Sequence, residues 1–219
     1  MSGMGDPTGA AATAANPPRP SNWNVPNALT TLRIVMVPFF AWALLADGGQ
    51  SAGWRWVAYG LFVVAMITDK IDGDLARKHN LVTDFGKIAD PIADKALTGM
   101  AFVGLSIIGE LWWWVTVVVL VRELGITLMR FWLIRQGVIL PAGQGGKLKT
   151  MVQTLALGLL IMPLKMLTGF WEPVGEVVWW VAAVLMAAAV GLTVWTGVVY
   201  VVESVQARRE ARRGAQQPV

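Results

Sequence analysis

The chain has 219 residues, of which 55% are hydrophobic and 15% charged, with a formal net charge of +4 and no cysteine. That composition describes one helical integral membrane domain rather than a soluble globule, and the lack of cysteine excludes disulfide and thiolate chemistry. In such a chain the positive excess reads as cytoplasmic-side loops and contact with anionic lipid, and no nucleic-acid-binding module is visible.

Residues 1–22 are mostly Ala, Gly, Pro, Ser and Thr. They cannot bury enough apolar surface to fold alone and read as a disordered tail, without the charged start and apolar core of a secretory signal. Trp23 suits a membrane interface, and Pro26 suits the first turn of a helix. A first helix is predicted over 27–46, with Thr30, Thr31 and Arg33 giving its first turns a polar face. Arg33 either snorkels to the headgroups or touches a bound anion. After the turn 47–51, a second helix starts near Trp54 and carries Asp69, Asp72 and Arg77 at its far end. Residues 78–85 form a polar connection, in which the single histidine, His79, reads as solvated.

A third helix is predicted over 86–108, with Pro91 in its first turns, where its cost is small. A fourth covers 111–135. Arg122 and Glu123 lie deep within it, which requires that they be paired or face a water-filled cavity. A loop follows, and the segment Gly146-Lys147-Leu148-Lys149-Thr150 opens a fifth helix that runs to about residue 167. After a turn at 168–173 a sixth helix covers 174–202. The domain organisation is then a tail (1–22), a six-helix membrane domain (23–205) and a basic tail (206–219).

Six spans put both termini on one side, and the positive charges choose which. Lys70, Arg77, Lys78 and Lys87 flank the 2–3 connection, Arg135, Lys147 and Lys149 flank the 4–5 connection, and arginines follow the sixth helix. The other side has essentially Arg55 and Lys165, together with Trp54, Trp56, Trp112, Trp113, Trp114 and Trp171 as an interfacial belt. The expectation is a cell-membrane protein, inner membrane where there are two, with termini and acidic cluster in the cytoplasm.

That cluster carries the chemistry. Asp69 and Asp72 are three apart and Asp90 and Asp94 four apart, so each pair shares a helix face. If the two helices form a hairpin, four carboxylates converge on one point. Four like charges repel unless cations lie between them, and hard divalent cations such as Mg²⁺ favour carboxylate and phosphate oxygens. Mn²⁺ fits the same donors. Two such ions could bridge a diphosphate and stabilise a departing oxyanion, and a remaining carboxylate could take a proton from an attacking hydroxyl. No serine–histidine or cysteine pair accompanies the cluster, which favours direct transfer over a covalent enzyme intermediate.

The stretch reads D-x2-D-G-x2-A-R-x8-G-x3-D-x3-D, filled by Asp69, Asp72, Gly73, Ala76, Arg77, Gly86, Asp90 and Asp94. Eight such positions coincide by chance on the order of once in 10⁹–10¹⁰ starting points. The pattern resembles the signature of the CDP-alcohol phosphotransferase family at every position. That resemblance implies an enzyme in which an alcohol attacks the β-phosphorus of a CDP-linked lipid and CMP leaves. It implies one metal on Asp69, Asp72 and Asp90, a second on Asp69, Asp90 and Asp94, and Asp94 as general base. Gly73 and Arg77 would hold the nucleotide diphosphate, with Thr83, Asn27, Thr30 and Arg33 as further contacts to the CDP-lipid. Members of the family often form homodimers, which makes a homodimer the expectation here.

Three more stretches, at 24–33, at 83–95 and from Arg122 through Arg130 to Thr150, resemble the branch of that family whose acceptor is glycerol 3-phosphate. The expected substrates are therefore CDP-diacylglycerol and glycerol 3-phosphate, and Arg122, Arg130, Lys147 and Lys149 are the candidates for the acceptor's phosphate. On physical grounds the basic segment does not separate glycerol phosphate from inositol phosphate. Phosphatidylglycerol as acceptor, as in a cardiolipin synthase, remains a further alternative. A cation transporter also places carboxylates in membrane helices, but near the bilayer midplane rather than at one end.

Overall fold

The structure is a computed structural model that describes residues 24–78, 83–136 and 144–214; at 76, 77, 84, 85, 87, 88, 144, 145 and 209–214 it describes the backbone alone. The described residues form six α-helices and no strand: α1 (Val25–Leu45), α2 (Ala52–Lys78), α3 (Asp84–Ile107), α4 (Trp113–Arg135), α5 (Gln144–Ile161) and α6 (Glu172–Gly214). Short 3₁₀ turns follow α1 (Ala46–Gly49) and separate α5 from α6 (Leu164–Met166 and Gly169–Trp171). The tail at 1–22 and His79 lie outside the described residues.

Local chemistry sets the helix ends. Asn24 caps α1, its side chain accepting from the Asn27 amide at 2.9 Å, and Pro26 follows where no intrahelical donor is needed. Thr83 caps α3, its hydroxyl accepting from the Gly86 amide at 3.1 Å. This cap starts α3 two residues before the expected Gly86. Pro91 accordingly lies in the helix interior, where it cannot donate to the carbonyl at position 87. The chain reverses after α1 through Asp47, Gly48 and Gly49, all at positive φ, a conformation open to glycine and tolerated by aspartate. The sixth helix is longer than expected. It continues into the basic segment as far as Gly214, and Arg208 packs over the Trp132 ring at 4.2 Å and donates to Gln136 at 3.1 Å.

The packing differs from a simple α2–α3 hairpin. The first helix is the main neighbour of both α2 and α3, which touch each other little; α6 packs along α5 and α4. Small residues allow the close approach that membrane helices require. Ala43, Ala58, Ala65, Ala93, Ala101, Ala156 and Ala182 are all buried, and a Cβ on Gly104 would lie 2.5 Å from the Leu44 side chain.

Polarity is inverted relative to a soluble protein. The largest fully buried side chains are two arginines, Arg33 and Arg55, while Phe39, Trp42, Ile67, Val121, Leu128, Val184 and Trp195 are exposed. Among the described residues three segments are long and apolar enough to cross a membrane: Val25–Gly49, Gly146–Met166 and Gly169–Arg208.

Arg55 shows how the end opposite the acidic cluster is closed. From the sequence, Arg55 and Lys165 are the positive charges of that side. The Arg55 guanidinium donates to the carbonyls of Leu160, Ile161 and Met162 at 2.7, 2.8 and 3.1 Å, satisfying the end of α5 just before Pro163. Glu110 balances it at 3.5 Å and also accepts from Lys165 at 3.0 Å and Trp179 at 3.2 Å. Replacing Arg55 with Met strands these carbonyls and is expected to cost about 3 kcal/mol. It should lower the thermal midpoint of the detergent-solubilised protein clearly; an unchanged midpoint would show that the cluster is not structural.

Candidate active site

Of the acidic residues predicted from the sequence, Asp69 and Asp72 come together, around a cation of the protein's own. Arg33, on the buried face of α1, pairs through its two terminal nitrogens with Asp69 and Asp72 of α2. The Arg33 side chain is 0% exposed, Asp72 4% and Asp69 42%, so the pair runs from a sealed interior to an open mouth. One turn earlier on α1, the Thr30 hydroxyl meets the Asp90 carboxylate of α3 and lies 3.1 Å from the Pro26 carbonyl. One turn before that, the Asn27 carboxamide bonds the Thr83 hydroxyl at 2.9 Å. Asn27, Thr30 and Arg33 thus follow one stripe of α1 at helical spacing and fasten α2 and α3 to it.

Asp69 and Asp90 act on Asp72, and Asp69 acts on Asp94. Gly86 explains itself here. A Cβ would stand 3.0 Å from Asn27 Oδ1 and 3.4 Å from Thr83 Oγ1. A side chain at this position would crowd the bond between Asn27 and Thr83.

Beside Asp94 lies a second cluster that the sequence marked only as buried charge. Glu123 of α4 accepts from Arg122 at 3.0 Å, from Lys95 of α3 at 3.4 Å, and from Lys149 of α5. Arg122 also donates to Thr196 of α6 at 2.8 Å and passes Gly197, where a Cβ would stand 3.2 Å from it. A cavity of about 220 Å³ lies between Asp94 and this second cluster, lined among others by Lys95, Thr98, Glu123, Lys149 and Gln153.

The other candidates fall differently. Arg130 is exposed and lies over the Tyr200 ring at 5.7 Å. Lys147 is exposed on α5, and Gly73 is half-buried on α2 beside Asp72. Arg77 sits near the end of α2, and its side chain lies outside the described residues. Glu123, Lys95 and Gln153 had been given no role. The signal for Gln153 was present: it follows Lys149 by four, so the two share a face of α5.

The donor set suits a hard divalent cation, since it offers several carboxylate oxygens and no soft ligand. Among the described residues no three such groups close around a common point, because Arg33 holds Asp69 and Asp72. An ion taken by those two carboxylates therefore competes with Arg33 for the same oxygens.

Comparison with known proteins identifies the lineage. The family model for CDP-alcohol phosphatidyltransferases matches residues 23–195. The chain belongs to that family. A Mycobacterium tuberculosis protein named probable phosphatidylglycerophosphate synthase is 50% identical over 183 residues, covering 84% of this chain and 82% of the relative. Two proteins named CDP-diacylglycerol–glycerol-3-phosphate 3-phosphatidyltransferase are also similar. The Bacillus subtilis protein is 36% identical over 149 residues, covering 64% of this chain and 77% of its own; the Rickettsia felis protein is 38% identical over 164 residues, covering 74% and 88%. As a member of this family the chain is a phosphatidyltransferase, and its eight signature residues occupy α2 and the first half of α3.

The competition at Arg33 can be measured without turnover. Arg33→Met leaves two carboxylates facing each other and should cost about 3 kcal/mol in EDTA, roughly 10 °C of thermal midpoint. Added Mg²⁺ should raise the variant's midpoint more than the wild type's. Equal Mg²⁺ shifts in both would show that arginine and cation do not share these oxygens.

Proposed function

We propose that the chain transfers the phosphatidyl group of CDP-diacylglycerol to glycerol 3-phosphate, giving phosphatidylglycerophosphate and CMP. The observation that carries this reading is the cavity that sets Asp94 of the acidic signature beside Lys95 and Lys149. Relatives named for this same reaction support the choice of acceptor.

In this reading Asp94 takes the proton from the primary hydroxyl of glycerol 3-phosphate. The freed oxygen attacks the β-phosphorus, the bond from that phosphorus to the bridging oxygen breaks, and CMP leaves with the electron pair. Asp69, Asp72, Asp90 and Asp94 would hold two Mg²⁺ ions, which when bound would neutralise the diphosphate and the departing oxygen. Mn²⁺ would serve the same donors. Gly73 lets the nucleotide approach the α2 backbone, and Arg77 bonds its phosphates. Asn27, Thr30, Arg33 and Thr83 act from behind, as supports of the carboxylates and of the α3 start. Lys149, Lys95 and Arg122 receive the acceptor's phosphate, while Lys147 and Arg130 contribute to the positive field of the same end.

All six helices span the bilayer in this account. The shortest, α5, has 18 residues, enough to cross the hydrocarbon core. The acidic cluster and both termini face the cytoplasm of a cell membrane, as the lysines and arginines of that end support. The protein works as a homodimer.

The test is CMP release by purified protein with CDP-diacylglycerol and Mg²⁺. Glycerol 3-phosphate, inositol phosphate and phosphatidylglycerol are supplied one at a time. Release with glycerol 3-phosphate alone is expected, and Asp94→Asn should reduce it by at least about 10²-fold while CDP-lipid binding persists. Release with another acceptor would keep the site and change the substrate. No release with any acceptor, together with cation flux in liposomes, would favour a transporter.

A further inference from the structure

The cavity beside Asp94 has one polar group that the mechanism above leaves idle. Gln153 is 6% exposed, and its Oε1 is buried with no hydrogen-bond donor among the described residues. A buried carbonyl oxygen without a donor is destabilising, and nothing else in α5 gains from holding it there. Gln153 lines the same cavity of about 220 Å³ as Asp94, Lys95 and Lys149.

The surroundings say which donor fits. Lys95, Arg122 and Lys149 converge on the carboxylate of Glu123, and Lys95 and Lys149 line the cavity itself. Ammonium groups of this kind form charge-assisted hydrogen bonds with a phosphate ester. Gln153 stands one helical turn from Lys149, about 6 Å along the axis. A small phosphate ester bound at Lys149 lies in the cavity that Gln153 and Asp94 also line.

We infer that Gln153 is a specificity-determining residue, whose side-chain oxygen accepts a hydrogen bond from the non-reacting hydroxyl of the acceptor. The inference rests on the proposed acceptor reading and deepens it. In glycerol 3-phosphate the primary hydroxyl is consumed by the reaction, and the secondary hydroxyl at carbon 2 is the remaining donor. An acceptor lacking it leaves Gln153 Oε1 buried and unpaired, which is how a polar pocket rejects a deoxy analogue.

The experiment compares kcat/KM for glycerol 3-phosphate and 3-hydroxypropyl phosphate, which differs by that one hydroxyl. Wild-type enzyme should prefer glycerol 3-phosphate by on the order of 10- to 100-fold. Gln153→Met should shrink the preference to within a few-fold by raising KM for glycerol 3-phosphate, with KM for CDP-diacylglycerol unchanged. Gln153→Asn, which withdraws the oxygen by one methylene, should show the same loss more weakly and decides the matter if the Met variant does not fold. Equal use of the two acceptors by wild type, or full discrimination in the variants, overturns the inference while leaving the functional reading intact. No turnover of either acceptor by wild type overturns the functional reading itself, and this inference with it.

Discussion

A buried guanidinium between two carboxylates governs this molecule. Arg33 is fully enclosed, and a charge so placed is tolerable only when paired. Its partners, Asp69 and Asp72, come from another helix, so the pairing fixes the rotation of α1 against α2. Thr30 and Asn27, one and two turns away on the same stripe, repeat the arrangement against α3. One face of α1 thereby holds both acidic helices in register. The cost of burying Arg33 and the mutual repulsion of the aspartates offset each other, and a divalent cation arriving at the site enters a balance that already exists.

The two ends of the helix bundle are built on the same rule for different ends. Arg55 and Asp72 are separated on α2 by about 25 Å, close to the thickness of a bilayer's hydrocarbon core. At one end Arg55 seals the break between α5 and α6 by donating to three carbonyls, and Glu110 joins it to Lys165 and Trp179. At the other end two carboxylates meet one arginine at Arg33, and three cations meet one carboxylate at Glu123.

Much of this was legible in the sequence, and the remainder was not for identifiable reasons. The acidic spacing showed which aspartates share a face, because helical periodicity is local. The partnership of Arg33 with Asp69 and Asp72 spans 36 to 39 positions and depends on which face of α1 turns inward. Its two sequence readings, headgroup snorkelling and ligand contact, both missed that. The Thr83 cap is visible as a threonine three residues before Gly86, yet the polar run 78–85 reads as a connection through its end, which puts the expected start of α3 two residues late. The extension of α6 depends on Arg208 finding Trp132 and Gln136, a contact no local pattern announces. Gln153 lay in plain view four residues after Lys149, and only its unpaired burial gave it a meaning.

The central claim is that one direct displacement occurs at phosphorus, with the acceptor hydroxyl activated by Asp94 and no covalent enzyme intermediate. The most direct measurement uses CDP-diacylglycerol made isotopically chiral at the β-phosphorus, followed by configurational analysis of the lipid product. A single in-line attack inverts the configuration, and inversion is the predicted result. Retention would mean two displacements through an enzyme-bound phosphatidyl group, and would contradict the account.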